Sequence, residues 1–145
     1  MCGARHRHDT PIEEPLRYQL LDPRAVRVRV GDSIHLRVVD VKAALAARRY
    51  AAGLDLVVGL RNPMLAHNDR AFRIEAGAEA GAGDRCRRRP DLVMDIGELG
   101  AGYLGGISFQ QLHPAGLVTE QTPGAVPAMT LAFDWSSKPL CNDGF

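Results

Sequence analysis

Pro90-Asp-Leu-Val-Met-Asp-Ile-Gly-Glu-Leu-Gly-Ala-Gly-Tyr-Leu-Gly-Gly106 is the stretch whose reading decides the fold. Leu92, Val93 and Met94 form a continuous apolar run, the pattern of a strand covered on both faces. Asp95 is placed to accept from the free N–H groups of a following helix, with Glu98 as its capping-box partner. Ile96, Leu99 and Tyr103 recur at spacings of three and four and share one face. Gly97, Gly100 and Gly102 leave the rest of the helix bare, so that backbone can approach backbone. Gly105-Gly106 ends it, because glycine enters the left-handed region freely. The stretch reads as strand, tight turn and short packed helix.

Within it, Gly100-Ala-Gly-Tyr-Leu-Gly105 matches the G-x-G-x-x-G of dinucleotide sites, with Glu120 about where a ribose-binding acid would be sought. That site needs the strand to run directly into the first glycine. Here Asp95 to Leu99 intervene and carry a helix cap, and too little chain follows Gly106 for a doubly wound sheet. Close helix packing is the better reading of these glycines.

The 145 residues, 46% apolar, suit one domain with a real core. A formal charge of +1 gives no reason to expect nucleic acid or an acidic membrane surface. No apolar run reaches the roughly 18 residues of a transmembrane helix. The first residues lack the apolar core of a signal peptide. Cys2, Cys86 and Cys141 are too few and too scattered for a disulfide framework or a zinc cluster. A cytoplasmic location is the expectation.

Residues 1–12 are polar and read as a flexible tail; His6, His8 and Asp9 lack the fixed geometry a metal site needs. Pro15 suits the first turn of a helix to about Leu21, with Leu16, Leu20 and Leu21 inward, stopped by Asp22-Pro23. Val26, Val28 and Val30 alternate with arginines, Gly31 to Ser33 turn the chain, and Ile34, Leu36 and Val38 return, predicting a hairpin. Asp40 caps the next helix, whose stripe is Val41, Ala44, Leu45 and Arg48. Leu54 to Leu60 alternate as a third strand closed by Asn62-Pro63. Phe72, Ile74 and Ala76 mark a fourth, followed by a flexible loop from Gly77 to Gly83. Arg85, Arg87, Arg88 and Arg89 read as a charge-protected edge rather than an anion site. Phe109 and Leu112 suggest a short helix, Leu117-Val118 an apolar link, and Thr122-Pro123 the start of a last helix with Val126, Met129, Leu131 and Phe133. Pro127 delays or kinks that start. The tail from Trp135 to Phe145 reads as extended. The class is α+β, with about five strands in a predominantly antiparallel sheet and helices packed on it.

Several linked motifs then carry a resemblance. Pro90-Asp-Leu-x-Met-Asp-Ile-x-Glu-Leu-Gly-Ala-x-Tyr-Leu-Gly-Gly106 resembles the C-terminal, sterol-carrier-protein-like domain of the Eis-type (enhanced intracellular survival) acetyltransferases. So do Pro15-Leu-Arg-x-x-Leu-x-Asp-Pro-Arg24, Arg37-Val-Val-Asp-Val-Lys-Ala-Ala-Leu-Ala-Ala-Arg-Arg-Tyr50, Pro123-Gly-Ala125 and the final Phe145. The resemblance runs from about Pro15 to Phe145; Pro127 departs from it.

The resemblance implies a sterol-carrier-like domain over residues 13–145, with residues 1–12 a remnant of the junction with a preceding GNAT domain. It implies a detached or truncated piece of an acetyl-CoA-dependent amine or aminoglycoside acetyltransferase, inactive alone. No Arg/Gln-x-x-Gly-x-Gly/Ala loop follows a strand here, so no cofactor is expected on this chain; acetyl-CoA belongs to the full-length family. The resemblance also implies that the terminal carboxylate of Phe145 acts as general base when a GNAT partner is present. One alternative is a small lipid- or acyl-chain-binding module, with Leu99, Tyr103, Met129 and Phe133 lining its apolar pocket. Another is an interaction subunit that docks on a separate GNAT chain or self-associates.

Overall fold

The computed structural model describes residues 15–26, 34–77, 82–85, 88–135 and 138–141. The chain divides into two compact units: residues 36–135, and the flanking segments 1–35 and 136–145.

In the larger unit, Asp40 does what its position predicts. Its Oδ1 accepts from the Ala43 N–H at 2.9 Å and starts α1 (Val41–Ala47). The apolar alternation that follows becomes β1 (Leu54–Arg61), and β2 (Ala71–Ala76) returns antiparallel with Leu56 opposite Ile74 and Val58 opposite Phe72. β3 (Ala82–Arg85) adds to the outer side of β2. The chain then crosses back, and β4 (Leu92–Asp95) lies parallel to β1 on its other side. α2 (Ile96–Tyr103) and α3 (Phe109–Leu112) follow, then β5 (Val118–Glu120), antiparallel to β4, and α4 (Ala125–Phe133). The order is β3-β2-β1-β4-β5, with one parallel pairing among antiparallel ones. This is the α+β, five-stranded, predominantly antiparallel architecture the sequence predicts.

One sheet face carries Leu56, Val58, Leu60, Phe72, Ile74, Leu92 and Met94, all buried against Leu99 of α2 and Met129 and Phe133 of α4. The other face is wet where Arg73 bridges Asp55 and Glu75 at 2.8 and 2.9 Å. Strand period two places these opposite characters on alternate residues.

Two of the five strands are not those the sequence nominates. The returning arm of the expected hairpin, Ile34 to Val38, forms no strand, and Val26 belongs to a 3₁₀ turn (Pro23–Val26). Residues 27–33 lie outside the described ones. In their place, Ala82 and Gly83, expected in a loop, join β3, and Val118, expected in a link, joins β5. Short strands of this kind are set by the partner edge rather than by their own pattern.

In the smaller unit the predicted first helix is a 3₁₀ turn (Pro15–Gln19), and Leu20 and Leu21 are exposed rather than inward. Asp22 Oδ1 instead accepts from the Arg24 N–H at 3.1 Å, an Asx turn around Pro23.

Candidate functional site

The C-terminal ends of α1, α2 and α4 come together, and helix ends leave carbonyls without partners. Side chains and backbone N–H groups supply them here. Tyr103, the last residue of α2, donates its hydroxyl to Ala44 O of α1 at 2.8 Å. Tyr50 donates to Leu45 O at 2.9 Å. At the end of α4, Ala132 O accepts from the Ala51 N–H at 2.9 Å. Phe133 O accepts from Arg48 Nη2 at 2.6 Å.

Arg48 is the unusual member. It is 8% exposed, and among the described residues no carboxylate pairs with it. Its guanidinium lies 4.1 Å from the centre of the Phe133 ring, 5.4 Å from Tyr103 and 5.7 Å from Tyr50. Nε is buried with no hydrogen-bond partner among the described residues. Burying a charge costs heavily unless something opposes the cost. Here the ring faces and the negative ends of the helices do so. Burial nonetheless lowers the Arg48 pKa, against the opposing pull of Tyr50 and Tyr103. Burial also pushes the Tyr50 hydroxyl up to about 12, against Arg48. The sequence already places Arg48 on the apolar stripe of α1, two residues before a tyrosine. A charge on a buried stripe is the signal that the sequence carries for it.

The residues nominated from sequence occupy different places. Leu99 and Met129 are fully buried core, Tyr103 spends its hydroxyl on Ala44 O, and Phe133 stands edge-on to Tyr50 and Phe109 at 5.3 and 5.2 Å. A small cavity with about 10 Å³ of room is lined by Gly102, Gly105, Phe109, Thr130 and Phe133 among others. That is room for a single water. Leu99, Tyr103 and Met129 do not line it. Phe145 lies outside the described residues.

The glycines of the dinucleotide-like motif are closed by packing. A Cβ on Gly100 would sit 2.6 Å from Leu36 O, and one on Gly102 would sit 2.5 Å from the Phe109 ring. Glu120, the would-be ribose acid, accepts from the Val126 N–H at 2.8 Å and caps α4. At Gly100 and Gly102 neighbouring groups thus occupy the space that a phosphate cradled by these glycines would need.

Asp95 corrects another expectation. It precedes α2 but makes no side-chain cap bond; it pairs with Arg61 at 2.6 Å, across the β1–β4 register. Glu98 closes no capping box, and its Oε2 is buried without a hydrogen-bond partner among the described residues. Among the described residues no group of His, Cys, Asp and Glu could hold a metal, and no helix is long and apolar enough to cross a membrane.

A family model described as sterol carrier protein domain matches residues 41–142. An uncharacterized N-acetyltransferase of Streptomyces avermitilis is 37% identical over 143 residues, 99% of this chain and 34% of the relative. One from Streptomyces coelicolor is 35% identical over 135 residues, 93% of this chain and 33% of the relative. The crystal structure of Eis1 from Mycobacterium abscessus superposes with a TM-score of 0.78 at 38% identity, over 93% of this chain and 34% of that one. The chain thus spans about a third of the length of the curated relatives it matches.

Proposed function

The chain belongs to the sterol carrier protein domain family, in the form that Eis-type N-acetyltransferases carry, and from that premise we propose that it serves as the C-terminal lobe of such an enzyme. Residues 13–145 are the lobe, and residues 1–12 are a remnant of the junction with a preceding GNAT domain. Acetyl-CoA and the chemistry of acetyl transfer belong to those domains, so the chain alone transfers nothing. One observation carries this reading: the match covers nearly all of this chain but about a third of the two relatives named N-acetyltransferase and of Eis1.

The contribution we assign to the chain is its terminal carboxylate, on Phe145. An alkyl ammonium with a pKa of about 10 cannot attack a thioester until it loses a proton. A free terminal carboxylate, with a pKa of roughly 3.3–3.7, is a weak base at neutral pH and needs partial burial to accept that proton well. Docking against the acetyltransferase domains supplies the burial. Transfer of a proton from the ammonium to the carboxylate, directly or through one water, frees the lone pair of the neutral amine for attack.

The purified chain, given acetyl-CoA and an aminoglycoside, is expected to release coenzyme A only at background. Adding the acetyltransferase part of the Streptomyces avermitilis relative is expected to raise release above that of the part alone. Turnover by this chain without a partner sinks the reading. The acyl-chain-binding alternative has less support, because among its nominated lining residues Leu99 and Met129 are fully buried core and Tyr103 spends its hydroxyl on Ala44 O.

A further inference from the structure

We propose that Arg48 is a positioning residue: it clamps the root of the C-terminal tail, and so sets how the chain leaves α4 on its way to Phe145. The catalytic half of this statement rests on the role proposed for the Phe145 carboxylate; the clamp itself does not.

An arginine does something here that an apolar residue could not. Rings from Tyr50, Tyr103 and Phe133 surround the guanidinium, and a methionine would fill much of that volume without desolvating a charge. What methionine lacks is the directional bond from Nη2 to Phe133 O, 2.6 Å long and reaching across 85 residues of sequence. Phe133 is the last residue of α4, and Asp134 is already extended, at φ −75° and ψ 152°. The bond therefore holds the peptide at which helix becomes tail.

An independent feature acts on the same peptide from another element. Gly105 follows α2 with φ +77°, and a Cβ there would lie 3.1 Å from Phe133 O and 3.5 Å from Trp135 Cδ1. The absent side chain is what lets the tail root pass this close. Arg48 from α1 and Gly105 from the end of α2 thus bracket residues 133–135. A cation kept only to fill a core would have no reason to bind at the point of exit.

Trp135 is the chain's single tryptophan, so its fluorescence reads the tail root directly. Arg48→Met is expected to keep the far-UV circular dichroism and a cooperative unfolding transition while acrylamide quenching of Trp135 rises about twofold. Arg48→Lys, which keeps a donor, is expected to restore part of the protection. A purely structural role lowers the unfolding midpoint but leaves quenching of the folded protein unchanged; that result overturns the clamp. If Arg48→Met does not fold, Gly105→Ala decides, since its Cβ presses on Phe133 O and should raise quenching in the same way; unchanged quenching there also overturns it.

The catalytic consequence has its own readout. In the assay with the relative's acetyltransferase part, Arg48→Met should lower the rate at saturating chain about tenfold while the chain concentration giving half effect stays the same. A shift in that concentration instead assigns Arg48 to docking and overturns positioning. Extending the wild-type chain by one glycine after Phe145 separates the two ideas. If rescue survives the extension, the carboxylate reading fails, and the clamp is still decided by Trp135.

Discussion

Thr122 Oγ1 donates to Asp91 Oδ1 at 2.7 Å, tying the approach to α4 to the first turn into β4. The other carboxylate oxygen accepts from the Val57 N–H of β1 at 2.8 Å, and Arg88 lies 3.4 Å away. One side chain thus joins three segments that are far apart in sequence. Asp91→Ala is expected to cost about 1–2 kcal/mol in urea unfolding at pH 7, chiefly because the Val57 N–H of β1 loses its partner, whereas the exposed Thr122 hydroxyl turns to water. Burial works to raise the Asp91 pKa, but the bonds from Thr122 and Val57 and the charge of Arg88 outweigh it, and the net shift is downward. A depressed carboxylate contributes stability above its ordinary value near 3.8 and loses it as pH falls through the lower folded value. The gap between wild type and Asp91→Asn should therefore close between pH 5 and pH 2, as read by unfolding midpoints. A gap that persists at the acid end refutes the assignment.

Gly100 and Gly97 lie on the same short helix and predict opposite outcomes. Alanine at Gly100 would drive a Cβ to 2.6 Å from the carbonyl of Leu36, which is backbone and cannot rotate aside. We expect a loss of about 2 kcal/mol or more, in the range of overpacked cores. At Gly97 nothing lies within 4 Å, so alanine should gain about 0.5–1 kcal/mol from helix propensity alone. Chemical denaturation of both variants checks the pair; a tolerated Gly100→Ala would mean that α2 does not approach the 36–38 segment as described.

Tyr50 should ionise well above the ordinary tyrosine range. Its hydroxyl is held to Leu45 O, and burial pushes its pKa up to about 12 despite Arg48 nearby. A raised acid contributes stability that is fully present below the unfolded value of about 10 and is lost as pH rises toward 12. Absorbance at the tyrosinate band should show a final step near pH 12 that Tyr50→Phe removes. If the step survives the substitution, the burial of Tyr50 is not what shifts it.

Leu99 and Met129 should behave as core and not as ligand contacts. Truncating either to alanine is expected to cost about 3 kcal/mol, the usual penalty for a fully buried aliphatic side chain. Native mass spectrometry of the wild-type chain should show no co-purified lipid, and a fluorescent fatty acid should bind neither it nor the truncations. Saturable binding weakened by Met129→Ala would reinstate the acyl-chain reading.

Much of the architecture follows from local chemistry that the sequence carries by itself. Asp40 needs only its neighbours to cap α1, the period-two runs from Leu54 and Phe72 declare which face they bury, and Gly105 ends α2 because its φ is positive. Pro127 stands three residues into α4, where its missing N–H costs nothing, and the helix indeed starts late, at Ala125. The linked motifs from Pro15 to Phe145 carry the family in the sequence alone.

What only the tertiary structure decided has a common cause: polar groups choose among partners that are distant in sequence. Asp95 could cap α2 or pair with Arg61, and the parallel β1–β4 register puts Arg61 directly beside it. Val118 has too short a run to declare a strand, and it becomes one because β4 offers an unpaired edge. Arg48 stands on the apolar stripe of α1 with no local partner until Phe133, 85 residues later, brings a carbonyl and a ring to it. Local pattern determines elements because backbone geometry is local. Electrostatic and edge-pairing choices are settled by which groups folding brings together, since each is decided by the removal of water and of competing partners.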